Sequence, residues 1–132
     1  MSVINGRTNT VTTTVQDIEF PQQIAVDTAN NTVYVPDDIG RLLVINGATN
    51  TRTATIQVGR ELEGAAVNPL AGTVYVTDTF DNTISLINTR TNKVTSTFTV
   101  GNNLPFAIAA NPLISTAYVT NRANNTVSLI SN

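Results

Sequence analysis

Thr32-Val33-Tyr34-Val35-Pro36-Asp37 returns as Thr73-Val74-Tyr75-Val76-Thr77-Asp78 and again as Thr116-Ala117-Tyr118-Val119-Thr120-Asn121. The three copies hold the only three tyrosines of the chain, 41 and then 43 residues apart. Self-similarity at a fixed period of this size marks a repeat architecture. The phrase itself is a strand: β-branched and aromatic residues suit a pleated sheet, and the closing Asp or Asn favours a turn.

Working outward from the middle copy, three further short runs share the unit. They are Gly64 to Val67, Thr83 to Ile87 and Val94 to Val100, separated by Asn68-Pro69-Leu70-Ala71-Gly72, by Asp78 to Asn82 and by Asn88 to Asn92. Four strands in one period, joined by hairpin-length turns, predict an antiparallel meander. With the strands lettered a, b, c and d, the tyrosine phrase is strand b.

The other units fall into the same frame. Ser2-Val3-Ile4-Asn5 matches the end of a strand c, Val11 to Val15 a strand d, and Pro21 to Asp27 a strand a. Strands c and d of the first full unit are Arg41 to Ile45 and Thr53 to Val58; strands a and c of the last are Ala107 to Ala110 and Thr126 to Ile130. The chain is read as one domain, residues 1–132, of three repeats over about 5–45, 46–87 and 88–131, running d, a, b, c.

Composition narrows the function. With no Cys, no His and no Trp, thiol chemistry, disulfides, imidazole bases and the common zinc sites are excluded. A formal net charge of −2 argues against a nucleic-acid binder that works through phosphates. No run approaches the ~20 apolar residues of a membrane helix, and the start lacks a signal-peptide pattern. The chain as it stands therefore reads as cytoplasmic; a trimmed secreted or cell-surface protein would read the same.

The units resemble the YVTN-type repeats of the YncE-like β-propeller family. The resemblance is carried by Pro21 and Pro105, Ile24-Ala25-Val26-Asp27, Val67-Asn68-Pro69, Ala110-Asn111-Pro112, Asn82 to Asn88 and Asn125 to Ile130. It covers essentially the whole chain. It implies an all-β propeller of four-stranded blades but no particular activity, since related propellers are scaffolds, binding modules and enzymes alike.

Family members usually carry seven blades, and three blades cannot close a ring. The simplest closed assembly is a homodimer with six blades, because three blades of about 60° each supply half a turn. Strand d at residues 11–15 then lacks its own c neighbour and strand c at 126–130 lacks its d, so the two are expected to pair within one mixed blade. Residues 2–5 and 128–131 claim equivalent positions there, and one of the two stretches is expected to be displaced or swapped.

Loop charges carry the functional expectation. In a propeller the d–a and b–c loops share one face, and here they hold Asp17, Glu19, Asp37, Asp38, Glu61, Glu63, Asp78 and Asp81 against Arg41, Arg60 and Arg122. The opposite face holds Arg7, Arg52, Arg90 and Lys93 against Asp27. An acidic channel mouth attracts cations, which suggests a small cationic ligand, a basic peptide or a divalent metal such as calcium held by carboxylate oxygens. The candidate contacts are Glu19, Glu61, Glu63, Asp38, Asp78, Phe80, Asp81 and Arg122. The plain alternative for the aspartates is turn formation, whereas Glu has no such role.

Phe20 and Phe106 read either as aromatic walls or, more simply, as covers over the blade tops. Arg60 and Arg122 read as carboxylate anchors or as local ion-pair partners, and the tyrosines read as inter-blade packing. A lactonase-like or lyase-like enzyme using paired carboxylates such as Glu61 and Glu63, with metal assistance, is the alternative function.

Overall fold

The computed structural model describes residues 1–131, and every regular element in them is a strand. There are thirteen: β1 (Ser2–Asn5), β2 (Thr10–Thr14), β3 (Ala25–Asp27), β4 (Thr32–Pro36), β5 (Arg41–Asn46), β6 (Thr51–Gln57), β7 (Leu62–Asn68), β8 (Thr73–Asp78), β9 (Thr83–Asn88), β10 (Lys93–Thr99), β11 (Pro105–Asn111), β12 (Thr116–Asn121) and β13 (Thr126–Ser131). They form antiparallel sheets ordered β3-β4-β5-β6, β7-β8-β9-β10 and β11-β12-β13, together with the two-stranded sheet β1-β2. The d, a, b, c reading is thus realised, with one incomplete unit at each end of the described residues.

The turns explain the abundance of asparagine. Asn9, Asn50 and Asn92 close the three c–d turns with φ between 53° and 56°, a left-handed conformation that Asn tolerates better than other side chains. Asn5, Asn46 and Asn88 open those turns, and each side-chain oxygen accepts two backbone N–H groups, from Arg7 and Thr8, from Ala48 and Thr49, and from Arg90 and Thr91. In the shorter b–c turn, Gly40 takes the left-handed place that Asn82 and Asn125 fill in the others.

Alternation along the strands sends one set of side chains to each face of a blade. Tyr34, Leu42 and Val44 of the first complete blade meet Ala65, Val74, Val76 and Ile87 of the second. Tyr75, Ile84 and Leu86 of the second meet Ile108, Ala117 and Val119 of the third. Tyr34 and Tyr75 are buried at these seams as expected, but Tyr118, on the open face of the third blade, is 37% exposed.

Two expectations are corrected. Residues 11–15 do not lack a c neighbour: β1 pairs along β2, and Met1 and Val15 extend the ladder through their backbone groups. Phe20 covers nothing; it is 67% exposed in a left-handed conformation ahead of Pro21.

Candidate functional site

The b–c and d–a loops bring together residues far apart in the chain. Asp38 lies in the turn after β4, Glu61 immediately precedes β7, and Glu63 is its second residue. One carboxylate oxygen from each lies within 4.8 Å of the others. The backbone fixes this arrangement: Leu62 N–H donates to the Asp37 carbonyl, Thr79 N–H to that of Glu61 and Gln23 N–H to that of Glu63. Leu62 is fully buried between the two glutamates, so strand alternation turns both of them to the same side. The sequence leaves their separation open, because Glu61-Leu62-Glu63 reads as loop ahead of a strand starting at Gly64, whereas β7 starts at Leu62.

The environment of Glu63 is correspondingly unfavourable to charge. Burial raises its pKa, the Asp38 and Glu61 carboxylates raise it further, and the Arg122 guanidinium opposes them. Arg122 comes from the b–c turn of the third blade and places its guanidinium carbon over the Phe106 ring, 3.2 Å from its centroid. It has no carboxylate partner within salt-bridge distance among the described residues. Phe106 is therefore the platform for a cation–π contact.

The other candidates separate from this cluster. Asp78 is buried and structural: it accepts the Arg60 and Asp81 backbone N–H groups at 2.6 and 2.9 Å. Phe80, Asp81 and Arg60 form a second group, the Arg60 guanidinium 4.3 Å above the Phe80 ring and 3.7 Å from the Asp81 carboxylate. Glu19 is exposed on its own loop and stands outside the carboxylate cluster. Asp37, beside Asp38 in sequence, is fully buried and bound to Arg41 at 2.7 Å. Three carboxylates from two blades, faced by a cation from a third, can accept hydrogen bonds from an ammonium or guanidinium group, supply hard oxygen donors to a cation, or share a proton.

No protein-family model matches the sequence, nor does any curated protein sequence. Solved structures match the fold. Hydrazine synthase of Kuenenia stuttgartiensis matches with a TM-score of 0.79 over 92% of this chain at 20% identity. The β-propeller domain of Swd1 from Myceliophteria thermophila matches with a TM-score of 0.74 over 88% at 5% identity. Apo AztD from Citrobacter koseri matches with a TM-score of 0.59 over 67% at 23% identity. The chain spans 35%, 37% and 26% of those chains respectively.

Proposed function

We propose that the chain is a half-propeller of YVTN-type repeats that closes a six-bladed ring with a second copy and serves as a binding module for a cationic ligand at its acidic rim. The observation that carries the ligand reading is the convergence of Asp38, Glu61 and Glu63, with Glu63 held above its usual range by burial first and then by the Asp38 and Glu61 carboxylates, against the pull of Arg122. Carboxylates that repel one another gain most from a cation placed among them. The ring reading is supported by the exposed Tyr118, Val127 and Leu129 of the third blade, whose counterparts Tyr34, Leu42 and Val44 are buried.

The test is calorimetric titration of calcium chloride and, separately, of tetralysine into the chain and into a Glu61→Gln/Glu63→Gln variant. Binding of either probe that weakens steeply with salt and falls about tenfold in the variant supports the site. Binding that is absent, or equal in the two proteins, contradicts it. One observation favours a second reading, a lactonase-like or lyase-like enzyme: a carboxyl with a raised pKa, as at Glu63, suits general acid–base work.

A further inference from the structure

The hairpin β1-β2 reproduces the c–d pairing of a complete blade residue for residue. Val3 faces Thr13 and Ile4 faces Val11, with the register slip between them. The same slip separates Val44 opposite Ala54 from Ile45 opposite Arg52 in the first complete blade. It separates Leu86 opposite Ser96 from Ile87 opposite Val94 in the second. Across the b–c ladders, Val44, Leu86 and Leu129 are equivalent, facing Tyr34, Tyr75 and Tyr118. Val3 therefore occupies the position of Leu129, and Met1 that of Val127. Both Met1 and Val3 pack against the cluster that Val15 forms with Val35, Leu43 and Ile45 of the first complete blade.

That blade face is only half covered. Ile24 and Val26, which have no a and b strands above them, remain 46% and 45% exposed. At the far end, Tyr118, Val127 and Leu129 remain exposed, and β13 has no strand paired along its outer edge among the described residues. Among the described residues, the first sheet thus holds strands c and d without a and b, and the last holds a, b and c without d.

We infer that β1 is an internal placeholder for β13 of a second copy. On assembly β13 of the partner displaces β1 from β2, and the partner's β11 and β12 arrive with it to cover Ile24 and Val26. The occupant is a second copy because β13 carries the same strand-c pattern as β1 and arrives attached to the two strands that β1 lacks. Antiparallel strand exchange of this kind conserves the ladder hydrogen bonds of β2. The competition lowers apparent dimer affinity in proportion to the fraction of molecules in which β2 is free. This rests on the ring-closing reading above.

Hydrogen exchange by mass spectrometry, on the whole chain at concentrations below and above assembly, tests it. Exchange in residues 1–5 should rise on assembly while exchange in 126–131 falls. A variant lacking residues 1–5 should dimerise with a dissociation constant about tenfold lower. If a dimer forms with residues 1–5 still protected, the placeholder role is wrong while the ring reading survives. If the chain stays monomeric at every concentration, the ring reading fails and this inference falls with it. Should the shortened variant fail to fold, the exchange pattern of the whole chain decides alone.

Discussion

Asp37 and Asp38 are neighbours in sequence with opposite occupations. The Asp37 carboxylate is buried and accepts from Arg41 N–H at 2.8 Å and Arg41 Nε at 2.7 Å, while Asp38 is exposed at the rim. Asp37→Ala should cost about 2–3 kcal/mol in urea denaturation, because it strands a half-buried guanidinium. Asp38→Ala should stay within about 0.5 kcal/mol. The sequence offered both as acidic loop residues; only their partners, set by the turn geometry, separate them. Glu63 gives a pH-dependent counterpart. Its native pKa lies above the ordinary 4.5, so the native state holds the proton more tightly than the unfolded chain. Protonation then favours folding, and this contribution is gained as pH falls from the raised value to the ordinary one. Glu63→Gln should therefore stabilise the protein at neutral pH, an advantage that vanishes once pH drops below 4.5. Thermal melts across this range would show it, and an advantage that persists in acid would contradict it.

Blades touch most closely at their inner strands, and there the second and third are latched through a hydroxyl. Thr77 Oγ1 accepts from Gly64 N–H at 2.8 Å and donates to the Phe106 carbonyl at 2.6 Å. A Cβ on Gly64 would sit 2.6 Å from the same carbonyl oxygen, so the close approach of β7 and β11 requires glycine. Thr77→Val keeps the shape and leaves both backbone groups unpaired in the interior. It should cost about 1–3 kcal/mol in the same denaturation assay, and a neutral result would remove the latch from the account. Strand identity and turn position were legible in the sequence because the repeat states each element several times. The latch was not: it depends on how far one blade's inner strand approaches the next. The lower edge of β7 was missed for a related reason, since Glu61-Leu62-Glu63 alternates like a strand but carries charges that read as loop.

At the scale of the molecule, the repeat made the four-stranded meander readable from sequence and the family resemblance pointed to a propeller, a fold likeness that the structural matches bear out over 35% and 37% of two solved chains. The acidic rim was readable as a composition of loops. Which carboxylates meet was not, because Asp38 and Glu61 come from different blades and their approach is set by inter-blade packing. The proposed ring closure rests on two incomplete sheets among the described residues, with complementary strands and unburied apolar faces. Burial of Tyr118, Val127 and Leu129 at ~25 cal/mol per Å² would contribute several kcal/mol to such a contact, and an Arg in place of Tyr118 would put a charge into it. The most direct measurement is the solution mass, by light scattering behind size exclusion, of the chain and its Tyr118→Arg variant across a range of concentrations. Closure predicts twice the 14.0 kDa of one chain for the first and a single chain mass for the second. A chain that holds a steady single mass throughout, or whose mass climbs without limit as concentration rises, would contradict it.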